Sequence, residues 1–303
     1  MNQHARSPIP PVTEADLRLL RIFRAVAEAG GLSAAEEKLG MERSTISRHL
    51  QALETRLGAR LCFRGPAGFE LTEFGRRALH ASIAACEALE AVHQELNLAR
   101  GILTGELVIG IADNCLSNPQ CRMAETLERF RRHAPDVTIN LSVGLPDVLV
   151  NNVLERRAHL AISGMPLGNT KLAYRPLFSE EFRLYAAAPG CDLADVRERR
   201  FVLVMRTNDR RTQTLAERLK IGQRAVAFGL EAVATLIASG GYVGFLPTHY
   251  AAILARRYPL VEVTNAETLR YTTQFSLISL IERPLPPSGQ LFVRLFTEIE
   301  RDT

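Results

Sequence analysis

Residues 42–58 read ERSTISRHLQALETRLG, and the order of apolar and polar residues in this stretch decides the fold of the first third of the chain. At about 100° per residue, Ile46, Leu50, Leu53 and Leu57 fall within one narrow arc. The opposite arc carries Ser44, Ser47, Arg48, Gln51 and Thr55; each can donate a hydrogen bond and none is acidic. Gly58 stops the pattern. The spacing predicts a helix from about Arg43 to Leu57 with a buried seam and a water-side face made of donors.

On its N-terminal side two more helices are expected. The first runs from Thr13 to Ala29 with Leu17, Leu20, Phe23 and Ala27 at helical spacing, started by Thr13 with Asp16 and ended by Gly30-Gly31. The second is short, with Ser33 and Glu36 as a capping box and Gly40 as its stop. On the C-terminal side Leu61–Arg64 and Phe69–Leu71 flank the turn Gly65-Pro66-Ala67-Gly68 and read as a hairpin. From Thr72, as cap, to about Arg100 a long helix follows, with Leu79, Ile83, Cys86, Leu89, Val92 and Leu96 in a stripe that suits pairing with a partner chain.

Three helices, a hairpin and a long helix in this order make a winged helix-turn-helix, whose third helix fits the major groove of double-stranded DNA. Arg43, Ser44, Thr45, Ser47 and Arg48 occupy its first turns, with Gln51 one turn on. Arg48 can meet a guanine edge in bidentate fashion or grip a phosphate, and Arg64 on the wing is expected at the phosphate backbone. Charge alone does not make the case: residues 13–76 hold ten Lys or Arg and nine Asp or Glu, net +1. The inference rests on where the arginines sit.

The rest of the chain has a different texture. Beyond Gly101 and Gly105, strands alternate with helices: Leu107–Ile111, Val137–Val143, His159–Ser163, Phe182–Ala188, Phe201–Met205, Val243–Leu246 and Phe275–Leu280 are expected strands. Helices are expected at Pro119–His133, Pro146–Arg157, Gln213–Lys220, Leu230–Ser239 and Ser288–Ile299. Such alternation predicts parallel sheets flanked by helices. With 303 residues, 47% hydrophobic and 23% charged, and a net charge of +4, the chain has globular composition, room for two or three domains, and a weak overall field. Five cysteines without a CxxC, no signal-like N-terminus and no apolar run of 18 lead to the expectation of a reduced cytoplasmic compartment without a membrane span.

Residues 17–75, from LRLLRIFRAVAEAGGLSAAEEKLG through LTEFG, resemble the N-terminal domain of LysR-type transcriptional regulators. Phe23, Ala35, Leu39, Ser47, Arg48, Leu53, Glu54, Leu57, Gly58, Leu61, Arg64, Leu71, Thr72 and Gly75 match that family's pattern. Glu42, Arg43 and Ser44 depart from it, Cys62 stands where an aromatic is usual, and the wing tip Pro66-Ala67 lacks the usual basic residue. The resemblance implies an α+β multidomain chain: a winged helix-turn-helix over 13–72, a linker and dimerisation helix over 73–100, and an effector domain over 106–303. That domain would resemble periplasmic binding proteins, with subdomain I at 106–163 and 271–303 and subdomain II at 164–270.

Small-molecule effectors in such folds bind in the cleft at strand ends. The expected lining is Asp113, Asn114 and Cys115 after the first strand, Leu145 at the next strand-to-helix turn, Arg206, Thr207 and Asn208, and Phe245 and Pro247 in the strand end Gly244-Phe245-Leu246-Pro247, which resembles the family's G(I/V)..LP. Arg206 suits a carboxylate, whereas Asp113 opposes an anion unless paired. Cys115 and Cys121 admit either a packed or a redox-active reading. The resemblance further implies homodimers or homotetramers on a pseudo-palindromic operator, effector-shifted DNA bending and contact with RNA polymerase. No cofactor or metal is implied. GxSxG, HExxH and GxxxxGKS are absent and the seven histidines are scattered, so an enzyme on an α/β scaffold is the weaker alternative, as is an architectural DNA binder without a ligand.

Overall fold

The computed structural model describes residues 8–65, 68–164, 168–207, 209–218 and 224–301. The expected wing tip Pro66-Ala67, the cleft residue Asn208 and the helix end at Lys220 lie outside them. The chain divides into a unit ending at Leu96 and one beginning at Asn97.

In the first unit, α1 (Glu14–Ala29) is closed at its start by the expected capping box: Thr13 N donates to Asp16 Oδ2 at 2.8 Å and Asp16 N to Thr13 Oγ1 at 3.4 Å. α2 (Leu32–Leu39) differs from expectation. Its cap is Gly31, and Ser33 lies inside the helix without a capping bond. Gly30 and Gly31, at φ 75° and 153°, let the chain enter the helix two residues early. Glu36 bonds forward in the chain instead. Its Oε1 accepts the backbone N–H of Arg43 at 2.7 Å, the first residue of α3 (Arg43–Leu57). Ile46, Leu50 and Leu53 are fully buried with Phe23, Val26 and Ala35.

The wing is β1 (Cys62–Gly65) paired antiparallel with β2 (Gly68–Leu71). α4 (Glu73–Leu98) starts under the Thr72 hydroxyl, which accepts Gly75 N–H at 2.8 Å. Gly75 is required by packing: a Cβ there would lie 1.9 Å from the Leu61 carbonyl oxygen. The stripe of α4 has two fates. Leu79 joins the unit's core and Ile83 is buried, while Leu89, Val92 and Leu96 are 42%, 58% and 64% exposed.

The second unit is built on one nine-stranded sheet among the described residues. One lobe has β3 (Gly105–Ala112) between β4 (Val137–Gly144) and β5 (Leu160–Ser163), all parallel, with α5 (Met123–His133) and α6 (Pro146–Leu154). α11 (Pro287–Arg301) returns to this lobe, where Phe130, Phe292 and Phe296 are fully buried. The other lobe has β7 (Val202–Arg206) between β8 (Arg224–Ala227) and β9 (Tyr242–Pro247), again parallel. Around it lie α7 (Leu193–Arg197), α8 (Arg210–Arg218), α9 (Leu230–Ala238), α10 (Thr248–Leu254) and the short β10 (Leu260–Glu262).

Two long strands, β6 (Leu172–Ala187) and β11 (Tyr271–Leu280), run antiparallel to each other through both lobes, so the sheet is mixed and continuous instead of two parallel sheets. The expected strand Phe182–Ala188 is only the second half of β6. Leu172 and Phe178 pack in the first lobe's core and Phe182 in the second's. The first crossing therefore falls between Phe178 and Phe182, well after the expected Ser163-Gly164, because the chain crosses within a strand and not in a loop. The second falls between Tyr271 and Phe275, where a bulge at Gln274/Ser276 interrupts the pairing.

Candidate functional site

The water-side face of α3 carries most of the expected DNA contacts. Arg43, Ser44, Arg48 and Gln51 are exposed and Thr45 and Ser47 half-buried. Arg48 donates to Thr45 Oγ1 at 3.2 Å, which steers the guanidinium along the helix face, and Ser44 Oγ lies 3.5 Å from Glu42. The α2–α3 turn is braced by the Glu36–Arg43 bond, so the first turn of α3 is held by a side chain and not by Glu42, which makes no capping bond.

Arg64 is differently engaged from the expected phosphate contact. Its guanidinium is 2.5 Å from Glu54 Oε2 and 3.5 Å from Ser47 Oγ. The other Glu54 oxygen accepts Leu61 N–H at 2.8 Å. The carboxylate on α3 thus draws the wing's arginine inward, and together they fix the wing to the recognition helix.

In the second unit the two lobes meet over the expected cleft segments. Asp113 reaches across: its Oδ2 accepts the N–H of Leu230, the first residue of α9, at 2.7 Å. The helix terminus supplies the positive partner that this carboxylate needed. Asn114 takes a left-handed backbone (φ 64°), and its Nδ2 is buried without a hydrogen-bond partner. Asn114 lines a cavity of about 410 Å³ with Ile111, Ala112, Leu116, Val143 and Ile253.

Cys115 is 1% and Cys121 6% exposed; the interaction between the two thiols raises the pKa of the first and lowers that of the second, so one thiolate of the pair is favoured at the expense of the other. Leu145 is buried as the cap of α6. Thr207 is tied to the Ala227 carbonyl through both its N–H (2.9 Å) and its hydroxyl (3.2 Å). Phe245 and Pro247 are buried at the end of β9.

Arg206 lies 5.8 Å above the Phe182 ring and 3.8 Å from Asp209. Phe182 stacks on Tyr271 at 4.9 Å, and Arg211 covers the Tyr271 ring at 4.8 Å while donating to Thr272 O and Thr273 Oγ1, each at 3.1 Å. Two guanidiniums thus attend an aromatic pair on the crossing strands.

A family description, "Bacterial regulatory helix-turn-helix protein, lysR family", matches residues 17–76, and "LysR substrate binding domain" matches residues 100–300. The chain belongs to the LysR family. It is a transcriptional regulator with a DNA-binding helix-turn-helix and an effector-binding domain. It is 36% identical over 257 residues to the transcriptional activator BauR of Pseudomonas aeruginosa, covering 82% of this chain and 84% of that one. Its fold resembles full-length CbnR, solved in complex with its target DNA, at TM-score 0.61 and 24% identity, over 93% and 99% of the two chains. It also resembles full-length OxyR of Pseudomonas aeruginosa, at TM-score 0.66 and 16% identity, over 94% and 95%.

The family pattern does not point to a second set of polar groups that joins the lobes. Ser117 and Asn118 follow β3, Glu180 lies on β6 and His249 on α10. Asn118 Nδ2 donates to Glu180 Oε1 at 2.9 Å, and His249 bridges Glu180 Oε1 and Ser117 Oγ, each at 3.1 Å. Along β6 the burial of Phe178, Phe182, Leu184 and Ala186 puts Glu180 on the inner face, where a carboxylate demands partners; the stretch reads as a loop in the sequence, so this position gave no signal. His249 carried none either, because its place on α10 follows from a helix that periodicity did not reveal. Among the described residues no group of His, Cys, Asp and Glu is arranged to hold a metal ion, and no helix is long and apolar enough to cross a membrane.

Proposed function

We propose that Arg43, Ser44, Thr45, Ser47, Arg48 and Gln51 read an operator in the major groove, and that Arg64 braces the wing that sits beside it. The observation that supports this reading is the face of α3, where Arg43, Ser44, Arg48 and Gln51 are exposed donors on a helix fixed at its first turn by Glu36 and near its last by Asp16, which lies 3.3 Å from Arg56. We further propose that a polar or anionic effector occupies the cleft and contacts Asn114 and Arg206. The unpartnered Asn114 amide and the Arg206 guanidinium over Phe182 support that placement.

In this reading the protein acts in the cytoplasm, without catalysis of its own. It is a homodimer joined along the exposed half of the α4 stripe, assembles into a tetramer on DNA, and contacts RNA polymerase there. The domain limits proposed are 13–72 for DNA binding, 73–100 for the linker helix and 106–303 for the effector domain. Competition binding of the full chain to its own upstream region against random duplex, over a salt series, tests the first part. A thermal-shift screen of small carboxylates, aromatics and amino acids tests the second: a stabilising compound should lose its effect in Asn114→Ala or Arg206→Ala, and one indifferent to both substitutions contradicts the placement.

A further inference from the structure

Cys115 and Cys121 end a stretch that Asn118 folds back on itself. The Asn118 N–H donates to the Cys115 carbonyl oxygen at 3.2 Å, and the Asn118 carbonyl accepts the Cys121 N–H at 3.0 Å. Two consecutive turns thus bring the two side chains together, and the Cys115 S–H donates to the Cys121 sulfur. That sulfur also accepts the N–H of Met123, the first residue of α5, so it sits at the positive end of a helix. The bond from Cys115 holds the Cys121 thiol below the ordinary range, with help from Met123 and against burial, Glu180 and Glu125. Burial instead pushes the Cys62 thiol up, and that of Cys191 up to about 11. Cys115 borders the cavity of about 410 Å³ that Asn114 lines, which gives a molecule of the size of water a route to the pair.

The same stretch carries bonds that join the lobes. Asn118 Nδ2 donates to Glu180 on the crossing strand at 2.9 Å, and Ser117 Oγ lies 3.1 Å from His249 Nδ1 on α10 of the second lobe. A disulfide holds its sulfurs closer than a hydrogen bond between thiols does. Closing one here tightens the turns on either side of Asn118. Asn118 is buried, so its side chain has no open space to swing into, and the shift is passed to Glu180 and His249.

We propose that Cys115 and Cys121 are a reversible dithiol switch, oxidised by a peroxide, and that the disulfide loosens the join between the lobes of the effector domain. The Cys121 thiolate attacks a peroxide oxygen; the O–O bond breaks, hydroxide leaves and takes a proton from water, and Cys121 is left as a sulfenic acid. The Cys115 sulfur then attacks the Cys121 sulfur. The S–S bond forms, the S–O bond breaks, and the departing hydroxide leaves as water with the Cys115 proton. The pair loses two electrons, which the peroxide gains, and a small dithiol reverses the reaction. The switch acts on the hinge and does not depend on which effector the cleft takes.

The test treats the full-length chain with hydrogen peroxide, then blocks free thiols and digests it with trypsin. Residues 101–122 hold both cysteines and no Lys or Arg before Arg122, so one peptide reports the bond by the loss of two hydrogens. That loss should precede any oxidation of Cys62 or Cys191 and be reversed by dithiothreitol. Cys115→Ser should stop at a sulfenic acid on Cys121, trapped by dimedone, and Cys121→Ser should leave Cys115 reduced. Hydrogen exchange reads the lobes through the Leu230 N–H, whose acceptor Asp113 is on the other lobe. Peroxide should speed its exchange about fivefold in the wild type, the scale of one lost hydrogen bond, and leave it unchanged in either serine variant. If a serine variant does not fold, the wild type with and without dithiothreitol decides. A peptide that keeps both thiols, earlier oxidation of Cys62 or Cys191, or a disulfide that leaves the Leu230 rate unchanged overturns the switch.

Discussion

Arg64 and Glu54 are joined at 2.5 Å, so the wing's one described arginine is spent on the recognition helix. Both side chains are mostly shielded, at 22% and 15% exposure, and Glu54 also holds the Leu61 N–H. Arg64→Ala should cost the DNA-binding unit about 1–3 kcal/mol, seen as a lower melting temperature, because Glu54 loses its charged partner. It should leave the slope of log affinity against log salt nearly unchanged. A drop in that slope of about 0.9, the signature of one lost phosphate contact, would restore the expected backbone role.

His159 offers a pH test in the second unit. Its Nδ1 accepts the Val108 N–H at 2.9 Å, and burial, then the charge of Arg283, depress its pKa to about 4. The ring is neutral when folded, whereas the unfolded chain takes a proton near pH 6.5. Stability is therefore full above that point and declines as pH falls toward about 4. The decline from this residue is on the order of 3 kcal/mol. Denaturant melts at pH 7 and pH 4.5 should show a smaller acid loss in His159→Gln than in the wild type; an equal loss removes the assignment.

Asp113 bridges the lobes through the N-terminus of α9. Asp113→Ala leaves the Leu230 N–H without its acceptor and should cost about 1–2 kcal/mol in the thermal transition of the second unit. The Leu230 N–H should also exchange faster. An unchanged melting temperature would mean that the lobes are held elsewhere.

The exposed half of the α4 stripe predicts self-association. Val92, 58% exposed between Leu89 and Leu96, is its centre. Val92→Glu should convert a dimer or tetramer to smaller species in light scattering, with the fold of the isolated unit intact by circular dichroism, since the side chain is largely exposed within it. Unchanged mass would place the interface elsewhere.

The first unit was almost wholly legible because its signals are local. Period, glycine stops and caps set α1, α3, the wing and α4 to within a residue or two. The Ser33–Glu36 box failed because Gly30-Gly31 starts the helix before Ser33 can cap it. The second unit was legible in most of its helices and parallel strands, but not in α7, β8 and α10 nor in its crossings. The first half of β6, LAYRPLFSEE, carries a proline and charges and reads as a loop; it becomes a strand because β11 pairs with it along its length. Tertiary pairing overrode local propensity there. Asp113 and Asn114 could be placed after β3 from local pattern alone. The partner of Asp113 could not, because Leu230 is 117 residues away in sequence.

The most direct test of α3 as the reading helix is competition binding of the full-length protein and Arg48→Ala to a fragment of its own upstream region and to random duplex of equal length, at low ionic strength. The wild type should prefer its own fragment, and Arg48→Ala should lose about 1–3 kcal/mol of that preference while still holding random duplex. Equal, weak retention of both duplexes by the wild type would contradict the assignment.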